Sequence, residues 1–420
     1  MDIGSSPITS TNKNNMKNPR KYFGNELKYL EQVLNSESWT ATGGSWTNEL
    51  EKKFAEKFGA KYAVAFNSGT STLHAALEAV GVCAGDEVIC PALSVIMNTT
   101  ATMHVNAIPV YVDVDPETWL MDPEDLRKKI TSKTKAIQTV SLFGLAPDMD
   151  KIMNIANEYN IPVIEDNAQC FLGKYNGQMV GTIGDIASFS FENSKHMSCG
   201  EGGIIITDNE EYAMKCRKLG GHGFKNLRAE EGRVKLNQED FQTPEYKRIE
   251  SLGWNYRLSE FSSAIALAQL ENLERNIEYR TEATEMFLNV IKNTGCDYLI
   301  PQKTPNNCEH TWWTVPILYK GDETIGISWK DFRAEYVKQG GDGIYGACSV
   351  QYLEPMVSER RFVKRLPHIY ENVRYEKGIC PVSEDVQSKL MQFKNNYRSL
   401  DLAKMKAKAL EKTIIKFRRK

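Results

Sequence analysis

Between residues 45 and 215, short apolar runs alternate with stretches whose apolar residues recur every three or four positions. Leu50, Phe54 and Phe58 lie four apart and mark one helix face. Leu73, Leu77 and Val80 repeat that period, as do Ile152, Ile155, Ala156 and Tyr159. Between the helical stretches lie Glu87–Cys90, Ile108–Val112, Ala136–Leu142 and Ile161–Ile164, each short and apolar enough for a buried strand. The alternation predicts an α/β fold with a mostly parallel central sheet flanked by helices. Ligands in such sheets bind where loops gather, at the carboxyl ends of the strands.

After Gly253 the pattern changes. Leu258 to about Asn293 reads as one or two long helices, and His310–Tyr319 as a strand. Ser328–Gln339 reads as a capped helix with Asp331 in its first turn, and Ser383 as the start of another with Glu384 and Asp385. A boundary near residue 280 then divides the chain into a large domain, 21–280, and a smaller α+β domain, 281–420. Residues 1–20 precede them as a disordered arm, because they contain no apolar segment.

Charge and cysteine usage exclude several classes. Lys and Arg total 52 against 54 Asp and Glu, a net charge of -2, which argues against a generally basic nucleic-acid protein. The 9 cysteines are scattered with no CxxC pair, which argues against a zinc ribbon or a disulfide scaffold. No run approaches the ~20 apolar residues of a membrane span, and the N-terminus does not read as a signal peptide. A cytoplasmic protein is expected. The final stretch Leu402–Lys420 holds eight basic residues around an apolar helical stripe. It is expected to pack on the body with its basic face in water, lipid contact being the other reading.

Four polar, glycine-bearing segments sit beside the predicted strands. Asn67-Ser68-Gly69-Thr70-Ser71-Thr72 opens the Leu73 helix, and free N–H groups there suit a phosphate or an ordinary N-cap. Glu165-Asp166-Asn167-Ala168-Gln169 follows a strand, where Asp166 can face a cationic nitrogen or a metal, or simply form a turn. No nearby histidine supports a metal. Ser188 to Gly203 carries Lys195 in a polar loop before a glycine turn, with His196 left unassigned and Cys199 four residues on. Lysine forms Schiff bases with aldehydes, although a loop lysine is usually only solvated. Gly253-Trp254-Asn255-Tyr256-Arg257 precedes a helix and can bind anions or cap it. A phosphate cradle, a carboxylate and a lysine on one α/β domain are together what pyridoxal 5'-phosphate requires.

These pieces, read as NSGTSTLHAAL, GDEVICPA, PVYVDVD, EDNAQ, GDIASFSFENSKHMSCGEGG, GWNYRLSE and CPVSEDV, resemble the DegT/DnrJ/EryC1/StrS family of sugar aminotransferases. The likeness runs from about Phe23 to Tyr397. It implies the fold-type I pyridoxal-phosphate transferase architecture. Carried over by position, Lys195 is the lysine that holds the cofactor aldehyde and shuttles a proton. Asp166 pairs with the pyridine nitrogen, and Gln169 lies by the ring hydroxyl. Gly69, Thr70 and Ser190 bind the phosphate. Asn255 reaches the phosphate of the neighbouring subunit, which implies a homodimer with shared active sites. No metal is implied.

Two comparisons within the family matter. Its dehydratases carry histidine where this chain has Lys195, so amino transfer is the expected chemistry. Its members usually place an aromatic on the ring face, and the matching residue here is Val95, which packs without stacking. The resemblance implies L-glutamate as amino donor and a keto-sugar acceptor, most often nucleotide-linked, in amino-sugar biosynthesis. The alternatives are a sugar dehydratase, or an aminotransferase for an unlinked keto sugar acid or a keto-cyclitol. Trp312, Trp313, Tyr345 and Tyr352 are candidate acceptor-lining residues, or else core aromatics.

Overall fold

The computed structural model describes residues 21–232, 238–346, 348–362 and 366–418. The expected disordered arm therefore lies outside the described residues. The apolar runs form a seven-stranded sheet: β1 (Tyr62–Phe66), β2 (Glu87–Pro91), β3 (Ile108–Val112), β4 (Thr134–Val140), β5 (Val163–Asp166), β6 (Ile186–Ser190) and β7 (Gly203–Thr207). Their order is β1-β7-β6-β5-β4-β2-β3. The β3-β2-β4-β5-β6 pairings are parallel, and only β7 runs against its neighbours β6 and β1. The loops after β1, β2, β4, β5 and β6 consequently open at one edge, which builds a site there.

Helices cover the sheet. Helix α1 (Trp46–Phe58) buries Leu50, Phe54 and Phe58, the face read from their spacing. Phe54 stacks on Phe58 with centroids 4.2 Å apart and meets Phe189 of β6 at 5.3 Å. Helix α2 (Gly69–Ala79) buries Leu73 and Leu77 against the other side of the strands. The long helical stretch is two helices, α3 (Glu260–Leu270) and α4 (Leu273–Thr294), and α4 runs unbroken through residue 280. A second sheet of four strands, β8 (Leu299–Pro301), β9 (Val315–Tyr319), β10 (Tyr345–Gly346) and β11 (Leu390–Phe393), has the order β8-β9-β11-β10. The basic helix α5 (Leu400–Arg418) packs its Leu402, Leu410, Ile414 and Phe417 stripe with Phe287 and Ile291 of α4. Its Lys406 and Lys416 pair with Asp342 and Glu335.

Several expected boundaries move: the strand expected over Ile161–Ile164 forms at Val163–Asp166, and three others move for a local reason. The strand expected over Ala136–Leu142 ends at Val140, because Leu142–Gly144 is a tight turn with Phe143 in the left-handed region at φ 64°. The strand expected from His310 begins at Val315, because Trp312 is also left-handed at φ 51°. The helix expected to start at Ser383 starts at Pro381, whose fixed φ suits a first turn. Ser383 instead gives its N–H and hydroxyl to Asp113, each at 2.7 Å.

Phe54→Ala should lower stability by about 3–5 kcal/mol, the usual loss for a buried phenylalanine. Urea unfolding of the variant beside the wild type measures it.

Candidate active site

The cradle forms where β1 turns into α2. Ser68 caps the helix by accepting from the Ser71 N–H at 3.1 Å, and Ser71 returns its hydroxyl toward the Ser68 N–H at 3.2 Å. This capping box uses Ser68 and Ser71 and leaves the Gly69 and Thr70 amides at the first turn without intrahelical partners. A Cβ at Gly69 would stand 2.7 Å from the Ser190 Cβ, so only glycine lets the helix start lie this close to the end of β6. Three sequence-predicted phosphate ligands, Gly69, Thr70 and Ser190, thus share one corner of the sheet edge.

Strand alternation separates two adjacent carboxylates. Glu165 accepts from the Gly181, Ile183 and Gly184 N–H groups at 2.8, 2.9 and 2.6 Å, and so pins a neighbouring loop. Asp166, at the last position of β5 and 2% exposed, accepts from Asn98 Nδ2 at 2.9 Å and the Ala168 N–H at 3.1 Å. Burial pushes the Asp166 carboxyl up, and Ala168, Asn98 and Lys195 pull it back. The Gln169 Oε1 accepts from the Phe143 N–H at 2.8 Å, which leaves its NH2 as a donor.

Lys195 stands in the loop between β6 and β7. Its Nζ lies 4.6 Å from the centroid of the Trp313 ring, a cation–π contact when charged. Burial pushes the amine below its usual range, and Asp166 and then Glu192 oppose that shift. Desolvation thus drives Asp166 and Lys195 toward neutrality, while their mutual attraction favours both charges.

Several contributors carried no sequence signal. Arg280 of α4, 6% exposed, donates to the carbonyls of Trp313, Ser194 and Lys195 at 2.5, 2.9 and 3.1 Å. It thereby ties the lysine loop to the chain entering β9. Asn98, which orients Asp166, falls four residues beyond Ser94, whose hydroxyl donates to Asn98 Oδ1 at 3.1 Å. The sequence alone marks neither, because both act through contacts with distant segments.

The suggested aromatics divide. Trp313 and Tyr345 line a cavity of about 540 Å³ together with Val95, Cys348 and Lys394. Tyr352 is fully buried and gives its hydroxyl to Glu384 at 2.5 Å, while Trp312 stacks on His310 at 3.5 Å. His196 is 2% exposed and its Nε2 lies 2.9 Å from the Thr311 carbonyl, which makes it a packing group. Burial pushes the Cys199 thiol up to about 12, so it stays protonated. Asn255 is exposed, on a segment that pairs with the end of β1: the Asn67 N–H donates to the Tyr256 carbonyl at 2.8 Å.

Among the described residues no His, Cys, Asp and Glu are grouped to hold a metal ion. The residues fit an organic cofactor instead. Asp166 is a buried carboxylate with acceptor capacity left over, suited to a protonated ring nitrogen. The Gly69–Ser190 cradle is space that a single Cβ would fill. Fold and site together define a fold-type I pyridoxal-phosphate enzyme.

The DegT/DnrJ/EryC1/StrS aminotransferase family profile matches residues 22–393, and the chain belongs to that family. It is an aminotransferase that uses pyridoxal 5'-phosphate. GDP-perosamine synthase of Escherichia coli O157:H7 is 36% identical over 300 residues, covering 71% of this chain and 76% of that one. L-glutamine:2-deoxy-scyllo-inosose aminotransferase of Streptomyces lividus is 35% identical over 376 residues, covering 86% and 85%. The solved structure of E. coli GDP-4-keto-6-deoxy-D-mannose-3-dehydratase with bound hydrated PLP superposes with a TM-score of 0.79 at 26% identity, covering 94% of this chain and 98% of that one.

Gly69→Ala should weaken cofactor binding at least tenfold, read by fluorescence titration, while far-ultraviolet circular dichroism stays that of the wild type. A second expectation concerns acid. Burial, then Arg280, holds His196 neutral well below its ordinary 6.5. The unfolded chain takes up that proton as pH falls through 6.5, so the unfolded state binds more protons there. Below 6.5 the wild type should therefore lose stability relative to His196→Asn, by up to about 1.4 kcal/mol per pH unit. Urea melts of both proteins between pH 7.5 and 5 measure the difference.

Proposed function

We propose that this chain transfers an amino group from L-glutamate to a keto sugar carried on a nucleotide, for amino-sugar biosynthesis, with Lys195 as its catalytic residue. The observation that carries the reading is Lys195 itself. It is a half-buried primary amine that desolvation holds below its usual basicity, on the sheet edge that also bears Asp166 and the Gly69–Ser190 cradle. The name of the perosamine synthase points to a GDP-linked sugar. The inosose aminotransferase acts on a keto-cyclitol and names L-glutamine as donor, which makes an unlinked ring and that donor the second reading.

Bound pyridoxal phosphate supplies an electron sink for the carbon that loses its proton. Asp166, buried at the end of β5, would keep the ring nitrogen protonated. Gly69, Thr70 and Ser190 would hold the phosphate, and the Gln169 NH2 would be free to donate to the ring hydroxyl. Val95, on the wall of the acceptor cavity, would pack against the ring face. The Lys195 amine would be the group that takes and returns the proton. Trp313 holds that amine by its ring, and Arg280 holds the backbone that carries it. Across a full cycle the donor amine becomes a ketone and the acceptor ketone becomes an amine, so oxidation and reduction balance.

Lysine at position 195 separates this chemistry from dehydration, because its primary amine can both hold the aldehyde and move the proton. Asn255, exposed beside Trp254 and Leu252, supports a homodimer in which it reaches the partner's phosphate. No described helix is long and apolar enough to cross a membrane. A cytoplasmic location accords with the unpaired cysteines.

Lys195→Ala should lose about 10²–10⁴-fold or more in amino transfer from L-glutamate, the range for a positioned acid–base group. It should also lose the visible absorbance of lysine-bound cofactor. Full transfer by that variant would overturn the assignment. The acceptor is identified by loading the wild type with pyridoxamine phosphate and offering GDP-linked, unlinked and cyclitol ketones. A nucleotide-linked ketone should restore the absorbance fastest. Ammonia release with a deoxy product, and no need for an amino donor, would identify a dehydratase.

A further inference from the structure

The acceptor cavity of about 540 Å³ is lined by the apolar and aromatic side chains of Val95, Trp313 and Tyr345 and by the polar ones of Thr314, Gln392 and Lys394. Among the described residues no aspartate or glutamate lines it. Its two cations, Arg280 and Lys394, differ in what they already hold. The terminal nitrogens of Arg280 donate to the Trp313, Ser194 and Lys195 carbonyls and to the Asn395 amide oxygen. Lys394 makes no hydrogen bond or ion pair among the described residues, and its Nζ lies 5.6 Å from the centroid of the Tyr397 ring. Lys195 is not on this wall; the cavity meets its loop at Ser194 and its amine through the Trp313 ring.

Gln392 and Lys394 are two residues apart at the end of β11, so their side chains leave the same face of the chain. Gln392 is 7% exposed, and its Oε1 accepts from the Thr314 hydroxyl at 3.0 Å. That bond turns the amide so that its NH2 group, which has no partner among the described residues, is left as a donor on the cavity wall. A buried donor is costly to leave without an acceptor, and an ammonium two residues along favours an acceptor that carries negative charge. Because the pair stands apart from the Lys195 amine, the oxygen it holds belongs to a part of the ligand away from the reacting carbon.

We propose that Gln392 and Lys394 are specificity residues that hold an anionic oxygen group of the reacting partner, either the side-chain carboxylate of the amino donor or a phosphate of the acceptor. In the amino-transfer reading, on which this rests, donor and acceptor take turns at Lys195 and therefore share the cavity. A cation there without a carboxylate partner favours L-glutamate over the neutral side chain of L-glutamine, and a phosphate-bearing ketone over a neutral cyclitol. Contacts made away from the reacting carbon are the same before and during reaction, so their loss is read in KM more than in kcat.

Two measurements on cofactor-loaded protein separate the sources. The first follows loss of the lysine-bound cofactor absorbance with L-glutamate and with L-glutamine. In Lys394→Met the half-saturating L-glutamate concentration should rise tenfold or more, the limiting rate should fall by less than that, and the L-glutamine value should stay put. This result assigns the donor carboxylate. The second is calorimetric titration of the protein loaded with pyridoxamine phosphate, whose cradle is already filled, with inorganic pyrophosphate at physiological ionic strength. Binding weakened tenfold or more in Lys394→Met assigns the acceptor phosphate. In either case Lys394→Arg should restore most of the loss, and Gln392→Leu should weaken the same ligand, which keeps the test available should Lys394→Met fail to fold. The proposal is overturned if Lys394→Met neither changes the preference between the two amino acids nor weakens pyrophosphate binding. Wild-type protein that keeps its absorbance with both amino acids would overturn the amino-transfer reading instead, and the pyrophosphate titration would then decide the role of the pair.

Discussion

Burying a carboxylate and an amine at one sheet edge is the constraint on which the rest of this structure depends. Desolvation acts on Asp166 and Lys195 in opposite directions and drives both toward neutrality. The protein offsets that cost with placed polar groups. Asn98 and the Ala168 amide hold the carboxylate. Trp313 and the Arg280 carbonyl clamp hold the lysine and its loop.

The parallel sheet makes this arrangement possible. Because β1, β4, β5 and β6 all end at one edge, residues separated by more than a hundred positions meet there. The single reversed strand β7 brings Gly203 against both Phe66 and Ser190, and so closes the lysine loop beside the cradle. Two left-handed residues, Phe143 and Trp312, join this edge to the second sheet. The Phe143 N–H goes to Gln169, and its carbonyl accepts from the Trp313 N–H at 2.7 Å. Strained backbone of this kind persists where surrounding contacts over-determine it.

Positive charge is distributed unevenly in a chain that is nearly neutral overall. The basic residues of the C-terminal helix lie on a water-facing side, where Lys406 and Lys416 find carboxylates. Arg280 and Lys21 lie instead in a cavity wall without an acid. Exposed pairs of the first kind contribute little to stability.

Local periodicity and local motifs were legible in the sequence. Helix faces such as Leu50, Phe54 and Phe58, four core strands and the cradle Ser68–Thr70 follow from short-range rules of period and capping. Lys195, Asp166 and Gln169 were legible only as a combination, since each alone is an ordinary residue. The tertiary structure decided what depends on contacts between distant segments. It moved strand ends at Phe143 and Trp312, where backbone strain is imposed by packing. It made His196 a packing group and divided the C-terminal aromatics between cavity and core. It brought Arg280, Asn98 and Lys21 to their places, because burial and electrostatic field belong to the assembled chain and not to any stretch of it.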